Sequence, residues 1–118
     1  MLWVEAEKRT FPAWNIEQVE PIEKLLDLDS AYTCSLQHTL FWAWSDETNG
    51  VIRARTFASD WQIPEAEANG SGAMVLAAIL GRDIKMIHGK GSVLYAKPRS
   101  SESVILGGRA VVQKRYFD

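Results

Sequence analysis

Cysteine is scarce in this sequence, and its scarcity excludes two kinds of stabilisation. The 118 residues contain a single cysteine, Cys34. One thiol forms no disulfide within the chain and supplies too few thiolates for a multi-cysteine metal site. The two histidines, His38 and His88, have no nearby histidine, cysteine or carboxylate pattern that indicates a metal site. We therefore expect no metal and no other cofactor.

Long apolar runs and strong net charge are also lacking. No run of apolar residues approaches the length needed to cross a bilayer. The first seven residues carry Glu5 and Glu7 where a signal peptide would carry bases. Thirteen basic against fifteen acidic side chains give a net charge of -2, so nothing indicates a nucleic-acid or membrane partner. We expect a cytoplasmic protein.

The sequence does contain enough apolar residues to form one hydrophobic core. The chain is 47% hydrophobic and has the commonest length of a single domain, which we place at residues 1–118. Loose alternation of apolar and polar residues predicts a strand at residues 2–7. Apolar residues at helical spacing predict a short helix at 20–29 that covers a sheet.

The middle of the chain predicts a hairpin followed by a helix. Aromatic-rich residues 35–45 and the alternating residues 51–58 read as strands joined by a turn at Asn49 and Gly50. Residues 59–69 read as a loop. Residues 70–80 are small and apolar on every side, which is typical of a helix enclosed by protein, with Asn69 or Ser71 as its N-cap and Gly81 after its end.

Glycine-punctuated short strands follow this helix. They are predicted at residues 84–88, 92–97, 103–106 and 109–117. The fold class expected from these elements is α+β, with strands wrapped about one central buried helix.

Several segments, in order, resemble the second half of the phenazine-biosynthesis PhzF-like proteins, which are related to the diaminopimelate epimerases. They are Val-Ile-Arg-Ala-Arg-Thr-Phe-Ala at 51–58, Ile-Pro-Glu at 63–65, Asn-Gly-Ser-Gly-Ala at 69–73, His-Gly-Lys-Gly-Ser at 88–92 and Val-Ile-Leu-Gly-Gly-Arg-Ala-Val at 104–111. No single segment is specific, but five in the right order are hard to obtain by chance. The resemblance implies one lobe in which a curved, mostly antiparallel sheet or barrel surrounds a helix.

Members of that family normally carry two such lobes, with the active site in the cleft between them. This sequence supplies one lobe and lacks the glutamate and histidine motifs of the other. Two copies pairing to rebuild the cleft is our preferred interpretation, because a lone lobe would expose the apolar face that its partner covers. The alternatives are a separate protein that supplies the other lobe, and a chain that acts without the cleft.

One departure from the family pattern bears on the mechanism. The loop entering the helix reads approximately Glu-Asp-Pro-x-Thr-Gly-Ser-Ala in the family, and the resemblance gives its aspartate the proton transfer. Here the aspartate position is Ala66, which has no group that moves a proton. Glu65 and Glu67 flank it and are the candidate replacement bases, although a general base must come within hydrogen-bond reach of its proton.

The anion-binding part of the pattern is better kept. Asn69, Gly70, Ser71 and Gly72 would place unpaired amides and a hydroxyl at the positive end of a helix, which can bind a small carboxylate or a phosphate. His88 lies before a glycine-rich turn and is expected to face the same cleft. The competing interpretation is that Asn69 and Ser71 merely cap the helix, and both can hold at once.

Two hypotheses of function follow. The first is a homodimeric, catalytically degenerate or repurposed lobe that binds a small carboxylate at the helix end. The second is an isomerase or epimerase acting on a small carboxylate at a dimer cleft, with Glu65 or Glu67 as its acid/base. The first is preferred because Ala66 replaces the residue that the chemistry most needs.

Overall fold

The computed structural model describes residues 3–29 and 37–109. Cys34 and most of the strand predicted at 109–117 lie outside these residues. The strands are β1 Trp3–Glu7, β2 Asn15–Gln18, β3 Thr39–Asp46, β4 Val51–Ala58, β5 Ile63–Ala66, β6 Ile84–His88, β7 Ser92–Pro98 and β8 Ser103–Arg109. The α-helices are α1 Ile22–Leu26 and α2 Gly70–Leu80, and two single 3-10 turns occupy Lys8–Thr10 and Ser59–Trp61.

The strands form one open sheet. Its order is β1-β8-β7-β6-β4-β3-β2, and β5 pairs with β4 off this path. The pairs β2 with β3 and β4 with β6 are parallel, and the others are antiparallel. The predicted α+β class with a mostly antiparallel sheet is therefore confirmed.

The hairpin at the middle of the sheet follows from its turn. Gly50 has φ +69°, a left-handed conformation that glycine adopts without steric cost. Strands β3 and β4 leave this turn antiparallel, with Trp42 opposite Ala54 and Trp44 opposite Ile52. The predicted hairpin is confirmed.

Each face of the central strands is covered by a different helix. Leu40, Ile52 and Ala54 pack with the buried side of α2 in the main core. Phe41, Ala43 and Phe57 point the other way and pack with Leu25 of α1. This alternation follows from the period of two along a strand, and it puts neighbouring residues of β4 on opposite faces of the sheet.

Three predictions need correction. Helix α2 is not enclosed on every side, because it lies on one face of the sheet and leaves Ile79 64% exposed. Helix α1 has five residues and is half the predicted length. The predicted loop at 59–69 contains strand β5, whose four residues Ile-Pro-Glu-Ala give almost no strand signal because they include a proline.

Among the described residues, no helix combines the length and the apolar character needed to span a membrane. The same residues contain no group of three or more histidine, cysteine, aspartate and glutamate side chains that could hold a metal ion.

Candidate functional site

The start of helix α2 is capped by a side chain, as its sequence predicts. The Oδ1 of Asn69 accepts hydrogen bonds from the Gly72 amide at 2.8 Å and from the Ser71 hydroxyl at 3.4 Å. The Gly70 and Ser71 amides have no hydrogen-bond partner within residues 3–29 and 37–109. Two backbone donors therefore remain at the positive end of the helix.

This helix end is also closely packed. The indole Nε1–H of Trp14 donates to the Ser71 hydroxyl oxygen at 2.9 Å. A Cβ added to Gly70 would lie 2.6 Å from Cδ2 of Leu106, so the side chain of Leu106 packs directly on this glycine. Binding of a ligand by Asn69, Gly70, Ser71 and Gly72 stays a prediction.

His88 belongs to a buried hydrogen-bonded chain behind the helix end. Its Nδ1 lies 2.7 Å from the carbonyl oxygen of Glu67 and its Nε2 lies 2.7 Å from the Thr56 hydroxyl. A carbonyl only accepts, so Nδ1 carries the proton and Nε2 accepts from Thr56, which in turn accepts from the Asn69 amide group at 3.2 Å.

Burial lowers the pKa of His88, because desolvation penalises the charged ring. The residue is 0% exposed. The expectation that His88 faces an open cleft is thus wrong: the neutral ring joins β4, β6 and the cap of α2 as part of the packed interior.

Glu65 is held in a two-point ion pair. Its carboxylate oxygens accept from Nε and Nη2 of Arg55, both at 2.9 Å. The Nη1 of Arg55 also donates to the carbonyl oxygens of Leu25, Leu26 and Leu28, so it ties the end of α1 to the sheet. The hydrogen bond to Glu65 raises the pKa of Arg55.

Glu67 is buried and clamps the turn between β6 and β7. Its carboxylate accepts from the Lys90 amide at 3.0 and 3.1 Å and from the Ser92 hydroxyl at 3.1 Å. Gly89 fits beneath it with φ +59°, and a Cβ there would lie 2.5 Å from the Glu67 carbonyl oxygen. The chain thus uses this carboxylate to fix a tight turn.

A pocket of about 380 Å³ opens beside these two glutamates. Ala66 and Leu26 contribute to its wall, and its charged lining residues are Arg53, Arg55, Glu65, Glu67 and Lys90. Glu65, Ala66 and Glu67 all line this pocket, and a catalytic role for either glutamate stays a prediction. Asn69, Gly70, Ser71, Gly72 and His88 are not among its lining residues.

The pocket and the helix end lie on opposite faces of β4. Ala54 packs in the core under α2, and Thr56 bonds to the N-cap of that helix. Arg53 and Arg55 alternate with them, and Arg55 contacts the end of α1 on the other face. The candidate bases and the candidate anion site therefore do not converge on one point.

An aromatic cluster outside the predicted site joins three segments. His38 stacks on Trp61 with ring centroids 3.9 Å apart, and Trp14 meets the Trp61 ring edge-on at 5.1 Å. The His38 Nδ1 pairs with Asp60 at 2.8 Å, and its Nε2 lies 2.9 Å from the Ala13 carbonyl oxygen. No spacing in the sequence predicts this cluster, because its members are far apart along the chain.

The pKa of His38 is raised, chiefly by its hydrogen bond to Asp60. A histidine whose folded pKa exceeds the unfolded value of about 6.5 stabilises fully below that value and loses this contribution as the pH rises through the folded pKa. We expect His38→Gln to lower the unfolding free energy more at about pH 5.5 than at about pH 9. Urea titrations of both proteins at each pH measure this, and an equal loss at both pH values would contradict it.

A comparison of the sequence with models of known protein families finds no match.

Proposed function

We propose that this chain is a PhzF-like lobe that binds a small carboxylate and has lost the acid/base step. The observation that carries the proposal is that Ala66 lies between two glutamates whose carboxylates already make structural hydrogen bonds. Each oxygen of Glu65 and Glu67 accepts at least one hydrogen bond from Arg55, Lys90 or Ser92. A general base must accept a proton from the substrate, and these carboxylate oxygens are occupied by hydrogen bonds within the protein.

The proposed carboxylate site is the end of α2. Two amides without a partner in the described residues, those of Gly70 and Ser71, support it, together with the positive end of the helix dipole. A ligand there would accept hydrogen bonds from the Gly70 and Ser71 amides, because Gly72 has the only backbone amide among the described residues that donates to the Asn69 side chain. Catalysis is not required for such a role.

The proposal includes pairing with a second copy. Its support is the resemblance to two-lobed proteins, together with Ile79, an apolar side chain that α2 leaves largely exposed. Light scattering across a dilution series distinguishes a stable pair from a single copy.

An isomerase using Glu65 or Glu67 is the competing candidate, favoured by their position beside Ala66 in one pocket. Restoring the acid gives a direct comparison of the two ideas. Ala66 pairs with Thr56 of β4, whose hydroxyl bonds to the N-cap of α2, so an aspartate at position 66 would lie on the face of the sheet that carries the proposed carboxylate site. We expect Ala66→Asp to exchange the α-proton of L-amino acids or 2-hydroxy acids in D2O about a hundredfold or more faster than the unmodified protein does, as general bases do.

Loss of the α-proton signal in the NMR spectrum measures this exchange. Ala66→Asn is the matched control, because it has nearly the same shape but no carboxylate. No exchange by the aspartate variant on any substrate would show that more than the base is missing from the site.

A further inference from the structure

Arg53 is a half-buried cation whose fixed hydrogen bonds all go to backbone carbonyls. Its Nη1 donates to the carbonyl oxygens of Ala54 at 2.8 Å and Ile87 at 3.0 Å, and its Nη2 donates to that of Gly89. Among the described residues it forms no ion pair. Burial lowers its pKa, and the neighbouring charge of Arg55 does so further. A guanidinium that is partly buried and forms no ion pair is strongly stabilised when it binds an anion.

Arg53 also keeps a donor for that anion. A guanidinium has five N–H donors, and the three carbonyls leave the Nε–H and one Nη2–H without a partner in the described residues. No fully buried side-chain nitrogen or oxygen in that part of the chain lacks a hydrogen bond, so this Nε is not completely buried. Arg53 lines the pocket, and the hydrogen bonds from its guanidinium to three backbone carbonyls hold that group in place.

The charges around the pocket favour an anion with a single negative charge. Arg53, Arg55 and Lys90 supply three positive charges, and Glu65 and Glu67 supply two negative ones, so the lining carries +1. Arg55 is already paired with Glu65, which leaves Arg53 and the exposed Lys90 for a ligand. A second negative charge would meet the nearby carboxylates and be repelled.

The pocket also has an apolar wall. Leu26, the last residue of α1, lines it and is 49% exposed. An exposed leucine beside two cations matches a ligand that has a charged head and a short apolar tail.

We propose that this pocket is an anion-binding site, separate from the end of α2, that takes a small monocarboxylate with a short aliphatic tail. The carboxylate accepts from the Nε–H of Arg53 and pairs with Lys90, and the tail lies on Leu26. This site is on the opposite face of β4 from α2, so it does not depend on binding at the helix end.

Titration of the full-length 15N-labelled protein with butyrate, followed by amide NMR shifts, tests the site. We expect the Gly89 and Lys90 amides to shift and to saturate at about millimolar butyrate, as is usual for so small a ligand. Acetate should bind several-fold more weakly because it lacks the tail, and inorganic phosphate should bind more weakly than butyrate because of its second charge.

Variants separate this pocket from other surfaces. Arg53→Gln should weaken butyrate binding by about tenfold or more, and Lys90→Gln by about threefold. Lys90→Gln keeps the test valid if Arg53→Gln does not fold, because the hydrogen bond that Lys90 gives to Glu67 comes from its backbone. Lys97→Gln is the control, since its ammonium lies over Trp3, away from the pocket, and it should bind as the parent does.

The outcomes keep the two proposals apart. Shifts confined to the Gly70 and Ser71 amides would overturn the pocket while supporting carboxylate binding at the helix end. Shifts at Gly89 and Lys90 that both variants leave unchanged would also overturn it, as would the absence of any shift there. Tighter binding of phosphate than of butyrate would overturn the assignment to a monocarboxylate.

Discussion

Replacing Gly89 by alanine should lower the free energy of unfolding by about 2–4 kcal/mol, the sum of backbone strain and overpacking. Gly89 has φ +59°, where a Cβ is strained. The same Cβ would lie 2.5 Å from the Glu67 carbonyl oxygen and 2.9 Å from Oε2 of its carboxylate. Neither neighbour moves freely, because one is backbone and the other holds the Lys90 amide. Unfolding in urea measures the loss.

Gly81 provides the matched control. It has nearly the same backbone angle, φ +65°, but no atom lies within 4 Å of an added Cβ. Gly81→Ala should therefore cost the strain alone, about 1 kcal/mol. The difference between the two variants measures how tightly Glu67 packs on the turn. Equal losses would contradict the close contact between Glu67 and Gly89.

Replacing Glu67 by alanine should cost about 2–4 kcal/mol, because it deletes a buried carboxylate that accepts charge-assisted hydrogen bonds. The change removes the acceptor of the Lys90 amide and of the Ser92 hydroxyl, and one of the two negative charges near Arg53. Glu67→Gln keeps the size and one acceptor oxygen, so its loss should be smaller. Chemical unfolding measures both.

Glu65→Ala is the comparison for Glu67→Ala. Glu65 is also a candidate base, but its side chain is 34% exposed. Its partner Arg55 donates to three backbone carbonyls as well, so Arg55 keeps hydrogen bonds when Glu65 is replaced. Its replacement should cost about 1 kcal/mol or less. If Glu67→Ala were as mild as Glu65→Ala, Glu67 would not be holding the turn between β6 and β7, and a role for it as a base would be favoured.

Local signals in the sequence predicted the hairpin and the long helix well. Asn49 and Gly50 mark a turn by the backbone angles that it needs, and Asn69 and Gly81 mark the two ends of α2 with the side chain and the left-handed angle that helix ends use. Each signal lies within a few residues of the structure that it specifies, so no tertiary information is required.

Two short strands were missed because their sequences are weak. Strand β2, Asn15–Gln18, is mostly polar, and β5 contains a proline. Both owe their conformation to pairing with a longer neighbour, β3 or β4. Such tertiary stabilisation leaves little trace in four residues.

The sequence did not predict the pocket. Glu65, Ala66 and Glu67 are neighbours in the chain, but only the pairing of β5 with β4 brings Arg53 and Arg55 beside them. His88 was misjudged because its glycine-rich flank resembles an exposed turn, whereas its partners Thr56 and the Glu67 carbonyl are 32 and 21 residues away.

Solvent exchange by the unmodified protein tests directly whether the chain has lost the acid/base step. The protein is incubated in D2O with a mixture of L-amino acids and 2-hydroxy acids, and the α-proton signals are followed by NMR. We expect these signals to decay no faster than they do without protein, because Ala66 replaces the base. Decay that Glu65→Gln or Glu67→Gln abolishes would contradict it and would identify the glutamate that acts as the base.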